Sequence, residues 1–271
     1  MYQEISQLLM YGDLEEDSIL AQMGELFGKY ETGEYNKTGL VRDINTQVKR
    51  ILKVATDYGF DDNLWHNYLT FFLMMSENPF SMTCEKVGAS DGSVNALVEN
   101  DFRIFKALFD YDFGPIEKDL GIHCFSQISN YKAIHKKDLM YNKNVSEKVR
   151  SLSKKLEAAK DEKEFFDAVT GFYKDYGVGM FGLNKAFRID DTPQGSFTFR
   201  AINNMDTVML DDLVGYEIQK KKLVDNTEAF VQGKKANNVL LFGDSGTGKS
   251  TSIKAIVNQY YKDGLRMIEI Y

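Results

Sequence analysis

The chain has 271 residues, 43% hydrophobic and 27% charged, a globular balance with room for one large domain or two ordinary ones. Its formal net charge of -7 argues against a broad nucleic-acid-binding surface, and its two cysteines, Cys84 and Cys124, form no CxxC pair and argue for a reduced, cytoplasmic setting over a disulfide scaffold. Residues 1–10 hold Glu4 and no Lys or Arg, unlike a secretory signal, and no apolar run approaches the roughly 18 residues of a membrane span, so a soluble protein is expected.

Residues 1–190 read as a mainly α-helical domain. Ile44, Val48, Ile51, Leu52 and Ala55 fall on one face at helical spacing. The segment from Trp65 to Met75 is nearly all apolar or aromatic, which predicts a buried central helix. Val94, Leu97, Val98, Phe102, Phe105 and Leu108 form a further stripe, entered through a turn at Asp91-Gly92 with Ser93 as its cap. Asn144 with Glu147, and Asp161 with Glu164, have capping-box spacing and predict two later helix starts. Phe165, Phe166, Val169 and Phe172 give the second of these an apolar face, and Gly177 ends it. Gly177, Gly179 and Gly182 fit G-x-G-x-x-G, but a helix precedes them where a dinucleotide loop needs a strand. A tight helix-to-helix turn is expected there.

The pattern changes at the turn cluster Asp191-Thr192-Pro193-Gln194-Gly195. Residues 191–212 read as a linker with a short strand from Phe197 to Ile202, followed by Asn203-Asn204. Asp211-Asp212 precedes a helix from about Tyr216 to Gln232, closed by Gly233. The apolar run Val239-Leu240-Leu241-Phe242 reads as a buried strand. A helix from about Lys249 to Lys262 follows, ended by Asp263-Gly264, and Met267-Ile268-Glu269-Ile270-Tyr271 starts a second strand. From Met205 onward there are 9 basic and 9 acidic residues, so all the net negative charge precedes that point.

Gly243-Asp244-Ser245-Gly246-Thr247-Gly248-Lys249-Ser250 fits G-x-x-x-x-G-K-[ST], between a predicted strand and a predicted helix as that motif requires. Glycines let successive backbone N–H groups point at phosphate oxygens, and the helix that opens there adds the positive end of its dipole. Lys249 is expected to reach the β- and γ-phosphates, and the Ser250 hydroxyl to hold Mg²⁺, a hard cation that takes oxygen ligands. Thr251 joins the cofactor-binding set in the first helical turn. The expected ligands are ATP or ADP with Mg²⁺.

The stretch from Asp211 to Lys220, centred on Leu213-Val214-Gly215, and that from Asn237 to Gly243 resemble the opening of an AAA+ ATPase module. The resemblance implies that residues 213–271 are the start of an α/β P-loop NTPase domain, with Leu213, Val214 and Gly215 beside the adenine ring. Asp112-Phe113-Gly114-Pro115-Ile116, the stretch from Gly177 to Arg188, and Leu213 to Glu217 are similar to a bacterial AAA+ family known as domain of unknown function 815. That likeness implies ATP binding and a helical N-terminal region, and names no substrate. It also implies Walker B acids, sensor residues and an arginine finger, none of which can be placed before Tyr271. The expectation is a truncated chain, itself inactive, from a parent that hydrolyses ATP to remodel or load an unknown protein client and that oligomerises if it follows other AAA+ proteins. No catalytic residue is assigned.

Two other readings compete. One is a non-enzymatic helical interaction module carrying a vestigial nucleotide segment; the other is a P-loop kinase. The Leu213-Val214-Gly215 element and the long helical region favour AAA+ over a kinase. His123-Cys124 is not expected to hold a metal, since adjacent side chains do not converge on one ion, and His66 reads as a packed histidine. Lys132, His135, Lys136 and Lys137, and also Lys220, Lys221 and Lys222, read as solvated faces, so nucleic acid is not an expected partner. Tyr30, Tyr35, Tyr111, Phe113 and Phe125 read as core residues in preference to a docking surface.

Overall fold

A computed structural model describes residues 1–89, 92–134, 141–191, 195–203 and 205–270. Asp91, His135, Lys136, Lys137, Thr192, Pro193, Gln194, Asn204 and Tyr271 lie outside the described residues. The chain forms two compact units, Met1–Gly179 and Met180–Tyr271. Among the described residues, no helix is long and apolar enough to cross a membrane.

The first unit is built from α1 (Tyr2–Ile5), α2 (Ile19–Thr32), α3 (Lys37–Tyr58), α4 (Leu64–Met75), α5 (Pro79–Val87), α6 (Ser93–Phe109), α7 (Gly114–Leu120), α8 (Cys124–Ser129), α9 (Lys143–Ala158) and α10 (Glu162–Tyr176). Helix α4 is buried nearly all round, as its composition predicts. It can be so because most of its polar groups find partners. Trp65 Nε1 donates to the Leu108 carbonyl at 2.9 Å, Thr70 Oγ1 to that of His66 at 2.8 Å, and the Tyr68 hydroxyl accepts from Leu20 N at 3.0 Å. On α3, Leu40, Ile44, Val48, Ile51 and Ala55 line the buried face. Phe113 and Phe125 stack at 4.3 Å within the core, while Tyr30, Tyr35 and Tyr111 are half-buried at its edge.

Helix starts follow side-chain caps. Ser18, Asn36, Asn63 and Asp161 each accept a hydrogen bond from the backbone three residues on. The expected cap at Asn144 is displaced to Asn142, whose side chain accepts from Val145 N at 3.2 Å. Asn144 falls inside the first turn, where helical backbone geometry removes it from the capping position. Ser93 likewise is the first helical residue of α6, and Gly92 stands at the cap without a side-chain bond.

In the second unit, α11 (Gly179–Leu183), which opens at the boundary, leads to β1 (Ala186–Asp191) and β2 (Phe197–Ala201). A 3-10 turn at Leu210–Asp212, α12 (Glu217–Val231), α13 (Lys249–Tyr260) and β3 (Met267–Glu269) follow. The sheet order is β2-β1-β3; β1 pairs antiparallel with β2 and parallel with β3, with Phe187 opposite Ala201 on one side and Ile268 on the other. Strand β1 lies in a stretch expected to be helical. Its six residues carry no pattern strong enough to announce a strand, and its ladder partners come from about ten and about eighty residues away along the chain.

The expected buried strand at Val239 to Phe242 does not form. Leu240 is 82% and Phe242 87% exposed, and the run belongs to no strand. Apolar composition alone does not make a strand; its amides and carbonyls need a ladder. Among the described residues none is offered, because β1 takes β2 and β3 as its neighbours.

A glycine-rich loop at the start of α13 as candidate functional site

The loop between residue 243 and α13 turns on glycines. Gly243, Gly246 and Gly248 have φ of 145°, 81° and 80°, where other residues are strained. The loop closes around the Lys249 side chain. Its ammonium donates to the carbonyls of Gly243 at 2.9 Å and Asp244 at 2.6 Å, and to Thr247 Oγ1 at 3.2 Å. Thr247 Oγ1 in turn donates to the Asp244 carbonyl at 2.8 Å. An ammonium has three donors, so these acceptors satisfy it fully.

Helix α13 begins at Lys249 with Gly248 as its cap and no side-chain capping bond. Its first amides are therefore left for solvent or for an anion. Ser250 is exposed and Thr251 half-buried in this first turn; Asp244 and Ser245 are exposed on the loop. Ser252 Oγ donates to the Gly248 carbonyl at 2.8 Å, fixing the turn from within the helix.

The far side of α13 anchors the loop. Ala255, Ile256 and Tyr260 form a small core with Leu210 and Leu223, and Leu213 packs against it. Asn258 Nδ2 donates to the carbonyls of Asp206 at 2.7 Å and Val208 at 2.9 Å, and Lys254 pairs with Asp206 at 2.6 Å. The Tyr260 hydroxyl donates to Glu228 Oε1 at 2.8 Å; burial first, and that carboxylate second, push its pKa up to about 12.

Of the expected adenine-side residues, Leu213 thus shares the core of the helix that opens at the loop. Val214 is 95% exposed, and Gly215 and Tyr216 are both left-handed, with φ of 83° and 56°. Lys220 Nζ holds this turn by donating to the Leu213 carbonyl at 2.8 Å. Lys220 also pairs with Glu217, and Lys221 with Asp225, so two of the three consecutive lysines have acidic neighbours on their own helix.

The other G-x-G-x-x-G spacing has a structural explanation. Gly177 ends α10 and Gly179 opens α11, and a Cβ on Gly179 would lie 1.9 Å from Glu77 Oε1. At the first position of α8, burial first and the Glu117 charge second push the Cys124 thiol up. A site that the sequence does not signal is the Asp101 carboxylate. It is wholly buried and accepts from the amides of Leu9, Met10 and Tyr11 at 2.7 to 3.1 Å. These partners stand some ninety residues away along the chain, so no local pattern could have found them.

The second unit therefore combines a glycine-turned loop, a lysine held by the loop's carbonyls and an uncapped helix start. Comparison with known proteins agrees with the AAA+ class that the sequence resembles. Residues 183–271 match the family described as protein of unknown function (DUF815). A 58-residue stretch is 40% identical to the replication factor C large subunit of Methanococcus vannielii; the match covers 21% of this chain and 12% of that relative. No solved structure matches the chain.

Proposed function

We propose that the second unit binds ATP through the loop from Gly243 to Ser250, as part of an AAA+ ATPase. The observation that carries the reading is the ammonium of Lys249, held by the loop carbonyls beside the uncapped start of α13. A polyphosphate would take the loop amides, draw Lys249 away from the two carbonyls and place its oxygens at the helix dipole. Ser250, exposed in the first turn, would carry Mg²⁺, and Thr251 would complete the cradle. Leu213, Val214 and Gly215 would face the base, since Leu213 is fixed to the same helix through the shared core.

The proposal concerns binding. No residue is assigned to polarise the attacking water, and turnover needs such a group. The first unit, with a core of its own, would serve as the domain that receives a protein client. Titration calorimetry with Mg-ATP and Mg-ADP tests the nucleotide reading. Lys249→Ala is expected to weaken binding by at least about a hundredfold, or roughly 2.7 kcal/mol. Ser250→Ala should remove the gain in affinity that Mg²⁺ gives. Equal affinity of the parent chain and Lys249→Ala would defeat the reading.

A further inference from the structure

A polar cleft of about 220 Å³ lies within the first unit, between the start of α4 and one face of α9. Its walls carry Asn63 from the cap of α4, Asn67 from α4, and Arg150, Ser153, Lys154 and Glu157 from α9. Two charged groups here receive no hydrogen bond from the protein, one at a buried atom and one on an exposed side chain. Arg150 Nε is buried and has no hydrogen-bond partner. Glu157 faces His66 Nδ1 at 3.9 Å, and that nitrogen also has no hydrogen-bond partner. His66 Nε2 lies 2.8 Å from the Phe109 carbonyl, which can only accept, so the proton of the neutral ring sits on Nε2 and Nδ1 presents a lone pair to the carboxylate. Glu157 thus takes no donor from His66 and, 57% exposed, is open to solvent.

The other acids of the cleft are engaged. Asp61 Oδ1 accepts from Ala133 N at 3.0 Å, and Asp62 pairs with Lys154 at 3.3 Å. Asp62 also sits at a left-handed φ of 63°, an uncommon conformation for a non-glycine residue, held by paired backbone bonds to Tyr131. The buried Arg150 Nε and the exposed Glu157 carboxylate therefore remain without a hydrogen bond, seven residues apart on one helix face. Two turns of helix separate their backbones by about 10.5 Å.

We propose that this cleft binds a small zwitterion. Its carboxylate would pair with the Arg150 guanidinium in the bidentate manner that arginine favours, and its ammonium would pair with Glu157. The separation calls for a ligand whose charges stand several bonds apart, such as an ω-amino acid or a dipeptide, in preference to a single α-amino acid. A cavity smaller than the roughly 300 Å³ of drug-sized pockets sets the same limit on size. A simple cation would leave the buried Arg150 Nε unanswered, and a zwitterion adds the open Glu157 carboxylate as a second contact.

The test is amide NMR titration of the full chain with ε-aminocaproate and dialanine, against glycine, acetate and ethylamine. The two long zwitterions should shift Asn67 and Ser153 amides and bind at least about tenfold tighter than the other three. Arg150→Gln and Glu157→Gln should each weaken them by about tenfold or more, with thermal unfolding unchanged, because neither side chain holds a structural hydrogen bond. Arg150→Lys should recover part of the affinity. Absence of shifts with either long zwitterion, equal binding of acetate, or equal binding by Arg150→Gln would each overturn the proposal. Nucleotide binding plays no part in these outcomes.

Discussion

The amides of Leu9, Met10 and Tyr11 converge on the carboxylate of Asp101, and the consequence is a residue whose loss the fold should feel strongly. A carboxylate leaves water at a high free-energy cost, and charge-assisted bonds to three N–H groups offset it. Asp101→Ala would strand those donors, each worth about 1–3 kcal/mol when unsatisfied. Urea unfolding of the first unit should show a loss of about 3 kcal/mol or more, and Asp101→Asn, which keeps one acceptor, should lose less. His66 makes a pH-dependent contribution. Burial lowers its pKa most, against smaller upward effects from the Phe109 carbonyl and Glu157. The neutral form is favoured by the fold, so its contribution is complete above the unfolded value near 6.5 and is lost as pH falls through the lower folded value. The stability advantage of the parent chain over His66→Gln should shrink from about pH 7.5 to about pH 5, as followed by urea unfolding. A constant difference would show that His66 does not titrate against the fold.

At the scale of elements, local patterns were readable where one segment supplies both the signal and its answer. The stripe on α3, the apolar all-round face of α4 and the Asp161 cap of α10 are of this kind. The residues of the loop from Gly243 to Ser250 are contiguous, so their grouping could be read directly, whereas the closure of the loop carbonyls on Lys249 could not. What escaped was pairing. Strand β1 exists because β2 and β3 flank it, and the more apolar run from Val239 to Phe242 is not a strand because, among the described residues, no strand flanks it. That contrast makes a prediction. Phe242 is 87% exposed, so Phe242→Ser should alter unfolding stability by no more than about 0.5 kcal/mol. The same change should reduce concentration-dependent self-association in light scattering, since an uncharged, unpaired apolar run invites edge pairing. A large loss of stability would mean that this run is packed in solution.

On the scale of the molecule, the two units differ in how they bury their apolar residues. The first encloses a continuous aromatic core, in which Phe27, Trp65, Phe102, Phe105, Phe125 and Phe165 are almost completely buried. The second leaves Val214, Ile218, Phe230, Leu240, Phe242 and Ile270 mostly exposed and rests on a small cluster around Leu210, Leu223 and Ile256. Burial of apolar area is the main stabilising term, at about 25 cal/mol per Å², and it must outweigh chain entropy within each unit separately. The buried core of the first unit predicts that it meets that condition by itself. Residues 1–179 expressed alone should therefore unfold cooperatively on heating, with sharp near-ultraviolet dichroism from the packed aromatics. Within the complete chain, Mg-ATP should raise the unfolding temperature of the second unit and leave that of the first unchanged, because a ligand stabilises only what it binds. Lys249→Ala should abolish that shift. A non-cooperative melt of residues 1–179 would mean that the helical core depends on the rest of the chain. An ATP-induced shift confined to the first unit would locate the nucleotide away from the glycine loop.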